Sequence, residues 1–169
     1  MPGTESTEIL VAAGFDLLIV DMEHTLLDTA AVERHIVVGR ALGVPMLVRV
    51  PDGTPSVIQR VLDGGASGVL VPHVDDPAAA QSAVASAVFP PRGTRGSGGT
   101  SRTGGFGARD RADYLATAGA VVAQVESVAS VGAVERIAAT EGLGALMLGP
   151  ADLGLDPRRG ELGTTADVA

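Results

Sequence analysis

Five short apolar runs recur along this chain, at residues 15–20, 46–50, 68–71, 120–125 and 144–148, and stretches with helical signals separate them. Runs this short, continuous and rich in Val, Ile and Leu read as strands buried on both faces, as in a parallel sheet. The intervening stretches carry the matching punctuation. Residues 29–42 place Val32, Ile36 and Val37 on one side and stop at Gly43. Thr54-Pro55 and Asp76-Pro77 each read as an N-cap followed by a first-turn proline. The first opens a helix with Val57, Ile58, Val61 and Leu62 on its apolar face, and the second an alanine-rich helix to about residue 88. Residues 8–13 read as the tail of a helix ending at Gly14, 109–118 as a short helix, and 127–140 as one amphipathic helix.

Strand then helix, repeated at roughly 25 to 30 residues per unit, demands a parallel sheet covered by helices. Two α/β architectures satisfy it: a (β/α) barrel of the TIM type and an open doubly wound sheet. A complete eight-unit barrel needs about 250 residues, whereas this chain has 169. The chain therefore reads as a single domain over residues 1–169 with five to six of eight βα units, the sixth strand being sought near residues 94–97. Residues 1–8 read as a polar tail and 154–169 as an irregular one. Residues 90–107, rich in glycine and including Arg92, Arg95 and Arg102, read as a long loop whose arginines reach toward an anionic substrate or a neighbouring subunit.

Composition narrows the chemistry. The formal charge of −8 argues against nucleic acid or an anionic membrane as the main partner. No apolar run approaches the roughly 18 residues of a membrane span, and the first residues are unlike a signal peptide. Cysteine is absent, which excludes disulfides, thiolate catalysis and Cys-ligated zinc. A cytoplasmic location is the default expectation. All twelve basic residues are arginine. Without lysine there is no Schiff base, and carbonyl chemistry would need another electrophile such as a metal ion.

The polar residues cluster after the strands. Asp21, Glu23 and His24 follow the first, Arg49 ends the second, His73 follows the third, Glu126 the fourth and Asp152 the fifth. Functional groups after several different strands fit the C-terminal rim of a barrel better than the single switch point of an open sheet. Glu126 and Asp152 are candidate oxygen ligands for Mg²⁺ or Mn²⁺, or else caps of the helices that follow. Arg49, inside an apolar strand, must face a protein carboxylate or an anionic ligand. His24 beside Asp21 reads either as a base oriented by a carboxylate or as a surface histidine. His35 reads as structural and His73 stays undecided. Asp63 ends a helix, where negative charge is unfavourable.

In order and spacing, Gly14-Phe15-Asp16 with Asp21-Met22-Glu23-His24, Val48-Arg49-Val50-Pro51, Val61-Leu62-Asp63, Gly68-Val69-Leu70-Val71-Pro72, Pro90-Pro91-Arg92-Gly93, Gln124-Val125-Glu126 and Gly149-Pro150-Ala151-Asp152 resemble the HpcH/HpaI aldolase family of metal-dependent 2-oxo acid (pyruvate-type) aldolases. That resemblance implies a lyase that makes or breaks a C–C bond beside a 2-oxo acid through a metal-stabilised enolate, with Mg²⁺, Mn²⁺ or Co²⁺ as cofactor. It implies Glu126 and Asp152 as metal ligands and Arg49, Gln124, Ala151 and Asp152 as substrate-binding residues. It also implies His24 as the base, with Asp21 and Asp63 supporting it. Its partners would be small 2-oxo acids and aldehydes. Set against the resemblance, the chain lacks the first strand and the last βα units of the family's barrels, and His73 replaces an expected apolar residue. Exposed strand edges then predict a homo-oligomer. Two other readings remain open: a relative that decarboxylates oxaloacetate or acts as a citrate synthase, and a non-catalytic paralogue serving as a binding or assembly subunit.

Overall fold

The computed structural model describes residues 3–162. Its five strands are β1 (Leu18–Asp21), β2 (Met46–Arg49), β3 (Gly68–Val71), β4 (Ala120–Val125) and β5 (Ala145–Leu148). Every neighbouring pair is parallel, and the sheet order is β1-β2-β3-β4-β5, the order of the sequence. A doubly wound sheet reverses direction at a switch point; this one never does. Sequential winding of one hand keeps all crossover helices on one side, and it decides for the barrel-type architecture over the open one.

The helices are α1 (Glu5–Ala12), α2 (Thr29–Ala41), α3 (Pro55–Asp63), α4 (Pro77–Ala87), α5 (Arg111–Leu115), α6 (Val128–Gly132), α7 (Val134–Ala138) and α8 (Pro150–Leu155). One core unites them with the sheet. Alternate strand residues Leu18, Val20, Val48, Val69, Val71, Val121 and Ala123 meet Val32, Ile36, Ile58, Val61, Leu62, Val84 and Ile137. The period of two sends the remaining strand residues to the other face. There, Ile19 pairs in register with Leu47, and Asp21, Arg49, Leu70, Val122 and Ala145 form one line across the sheet. This second face is closed in the centre, where Leu70 is buried, and open at the edges, where Ile19 and Met147 are exposed.

Several expectations are corrected. Residues 1–8 are not simply a polar tail: α1 begins at Glu5, with Glu5 and Glu8 in its first turn, where carboxylates complement the helix dipole. The irregular C-terminal tail in fact begins with helix, because Pro150 starts α8 and a 3-10 turn covers Arg159–Leu162; residues 163–169 lie outside the described residues. No strand forms near 94–97, where the loop's backbone instead bonds back to the end of α4, Thr94 N–H to Ala85 O and Arg95 N–H to Val88 O. The single helix expected over 127–140 is two, broken at Ala133 just past Gly132, a residue that weakens helix continuity. Asp76 caps α4 as expected, whereas Thr54 makes no side-chain cap and its own N–H is bound by Asp52. No helix among the described residues is long and apolar enough to cross a membrane.

Candidate active site

Parallel register places Asp21 opposite Arg49 at the ends of β1 and β2. Their side chains form a two-pronged ion pair, Nε to Oδ1 at 2.9 Å and Nη2 to Oδ2 at 2.6 Å. The chain then bends, and Asp21 Oδ1 also accepts the backbone N–H groups of Glu23 and His24. Asp21 therefore shapes the turn that carries His24 and does not touch the imidazole, which corrects the expected carboxylate–imidazole pair. The ring of His24 is largely exposed and lies 3.6 Å from Glu23.

Glu23, left without a role by its sequence context, is the connecting residue of the cluster. It is almost buried, its Oε2 is 3.1 Å from Arg49 Nη1, and its Oε1 is 3.3 Å from His73 Nε2. The opposite nitrogen of His73, Nδ1, is 3.0 Å from Glu126 Oε1, and its backbone N–H donates to the same oxygen at 2.6 Å. That double approach requires the left-handed backbone of His73, φ +55°, rare for a residue with a side chain. No sequence signal announces it. The signal for Glu23 was its place two residues beyond Asp21.

Glu126 is buried and accepts a short hydrogen bond from the Gln124 side chain. It is not a helix cap, because Ser127 caps α6. Gly149, next to Glu126 across β4 and β5, is needed for space: a Cβ there would lie 2.7 Å from Glu126 Cβ and 2.9 Å from Gln124 Nε2. Asp152 is also not a cap, standing with Ala151 in the first turn of α8, where backbone N–H groups have no intrahelical acceptor. Asp63 is not brought to this rim. It ends α3 on the opposite side of the sheet and pairs with Arg95 at 2.7 Å. Arg95 and Arg102 do not reach out of the glycine-rich loop either: Arg95 is buried over Phe89, and Arg102 pairs with Glu33. His35 is buried and bonded to Thr7 of α1, a structural role.

The strand ends thus gather Asp21, Glu23 and Glu126 around the guanidinium of Arg49, a surplus of negative charge, and Asp152 stands in the first turn of α8 just past β5. Among the described residues no three His, Cys, Asp or Glu side chains converge into a metal cage. Gln124 Oε1, however, is buried without a partner beside the Glu126 carboxylate. An orphaned oxygen acceptor next to buried and rim carboxylates is a donor set that suits a hard divalent cation.

A family model described as HpcH/HpaI aldolase/citrate lyase matches residues 3–167. The chain belongs to this family. It is 37% identical over 170 residues to a hydroxypyruvate/pyruvate aldolase of Roseovarius nubinhibens, covering 97% of this chain and 65% of that one. To a 5-keto-4-deoxy-D-glucarate aldolase of Shigella sonnei it is 39% identical over 151 residues, covering 88% and 58%. The crystal structure of a HpcH/HpaI aldolase/citrate lyase family protein from Burkholderia cenocepacia superposes with a TM-score of 0.87 at 40% identity, covering 99% of this chain and 68% of that one. The chain thus spans 58 to 65% of the length of the two named aldolases. Within this HpcH/HpaI member Asp21, His24, Arg49, Gln124, Glu126, Ala151 and Asp152 lie at or just past the C-terminal ends of β1, β2, β4 and β5, and Asp63 does not.

The Asp21–Arg49 pair has a pH signature. Burial alone raises the Asp21 carboxyl, but hydrogen bonds from Arg49 and from the Glu23 and His24 N–H groups hold it below its ordinary value of 3.8. A carboxylate depressed in the folded state contributes stability above that ordinary value and loses it as pH falls through the lowered one. The gap in urea midpoint between the wild type and Asp21→Asn is expected to be constant from neutrality to about pH 4 and to narrow below it. A gap unchanged down to about pH 2 would contradict the assignment.

Proposed function

We propose that this chain carries the 2-oxo acid-binding and enolising rim of a divalent-metal-dependent aldolase, acting on pyruvate or a close analogue with an aldehyde as its partner. The observation that carries this reading is the acidic rim itself, in which a buried Glu126 lies within the electrostatic reach of Arg49 and beside the orphaned Gln124 Oε1. Glu126 and Asp152 are the residues that would hold Mg²⁺, Mn²⁺ or Co²⁺. When bound, such an ion polarises the ketone of the 2-oxo acid.

The protein's own groups do the rest. The free N–H groups of Ala151 and Asp152 orient the substrate carboxylate. Arg49, held rigid by Asp21 on one edge and Glu23 on the other, presents its remaining donors to the oxygen on which negative charge develops. His24 takes the proton from the carbon next to the ketone, its turn fixed by Asp21. Glu23 lies against His24 and Arg49 at once, so it steadies both the base and the anion-binding group. The absence of lysine fits an aldolase that uses no Schiff base, and the absence of cysteine fits a cytoplasmic setting. Self-association is part of the reading, because Ile19, Met147 and Leu148 on the edge strands are exposed and a second copy would cover them. Sedimentation of a single monomeric species at micromolar concentration would contradict that part.

Enolisation is read directly by methyl-proton exchange of pyruvate in D₂O, followed by NMR with each of the three metals. Exchange is expected to require metal and to fall by at least about 10²-fold in Arg49→Ala, and in Glu126→Ala to fall to the metal-free rate. No exchange with any metal would instead favour a non-catalytic binding subunit.

A further inference from the structure

A cavity of about 440 Å³ opens on the side of the sheet opposite the acidic rim. Its walls are the segments that lead into β2, β3 and β4, together with the glycine-rich loop, and three arginines line it: Arg40, Arg95 and Arg109. We propose that this cavity is a binding site for a small anion carrying two or more negative charges, of the phosphate or dicarboxylate kind, held by Arg40, Arg95 and Arg109.

The charge balance is the first support. Among the described residues Asp63 is the one carboxylate paired with any of the three guanidiniums, through Arg95 Nη2 at 2.7 Å. Three positive charges against one negative leave a surplus of two, in a chain whose overall charge is −8. Such a local positive surplus in an acidic chain attracts a small anion.

The donors are the second. The Arg95 side chain is only 1% exposed and is fixed by Asp63 and by the Phe89 ring 4.6 Å beneath it, yet its Nε has no partner. Arg40 and Arg109 each spend a single, long hydrogen bond on the protein, to Gly65 O and Thr103 O, both at 3.3 Å. Most of their five donors remain free for the planar, two-pronged contacts that guanidinium makes with phosphate or carboxylate. Space is kept for them as well. Gly65 has φ +99°, and a Cβ there would stand 3.0 Å from Arg40 Nη1. The volume lies in the range of small-molecule sites.

This site is independent of the catalytic reading, because none of its arginines belongs to the rim. Calorimetric titration with inorganic phosphate, pyrophosphate and succinate, at constant ionic strength set by chloride, tests it. Saturable binding of at least one of these is expected, weakened by about tenfold or more in the double variant Arg40→Gln/Arg109→Gln. Both replaced side chains are exposed, so the variant should keep its fold, which far-UV circular dichroism and the melting temperature check. Preference for phosphate and pyrophosphate over succinate, or the reverse, assigns the class. Saturable binding of none of the three, or equal affinity in wild type and a folded double variant, would overturn the proposal. Metal-dependent pyruvate exchange should be the same in both proteins.

Discussion

Arg49 ends an otherwise apolar strand, and the loss of water around its guanidinium is offset by two carboxylates, Asp21 at the end of the neighbouring strand at 2.6 Å and Glu23 just past it at 3.1 Å. The rest of the rim depends on this contact. Asp21 could not bind Arg49 on two prongs without the β1–β2 register that puts them opposite each other. The same carboxylate folds the turn holding His24, and Glu23 passes the contact on to His73, which meets Glu126. Removing the guanidinium would leave two carboxylates half out of water with no compensating charge, a larger loss than the pair's own net contribution.

The sheet order explains why such a rim can exist. Five parallel strands wound in sequence present five C-terminal ends along one edge, so groups at the ends of β1, β2, β3 and β4 meet although they are far apart in the chain. The helices cover one face with an aliphatic core, and the other face carries the polar ends above a buried Leu70. The opposite edge, under the αβ connections, gathers arginines where the rim gathers carboxylates.

Much of this was legible in the sequence, for a physical reason. Strands buried on both faces must be continuous apolar runs, so residues 68–71 and 120–125 read as β3 and β4 at their true limits, and Arg49 inside such a run had to have an anionic partner. What was not legible depended on backbone conformation or long-range packing. The left-handed His73 that turns both donors toward Glu126 leaves no trace in residue type. Asp63 matched a family motif, but its position at the end of α3 sends it to Arg95 rather than to the rim. Spacing alone could not show that the Glu23 carboxylate is buried between Arg49 and His73.

Metal binding tests most directly the proposal that Glu126 and Asp152 would hold a divalent cation at the rim of this HpcH/HpaI member. Titration with Mn²⁺, following the free ion by electron paramagnetic resonance, measures this without any assumption about turnover. The account predicts one saturable Mn²⁺ site per chain in the wild type, lost in Glu126→Gln and in Asp152→Asn while the melting temperature of the metal-free protein stays close to that of the wild type. A wild type that binds no Mn²⁺, or variants that bind it as well as the wild type does, would contradict it.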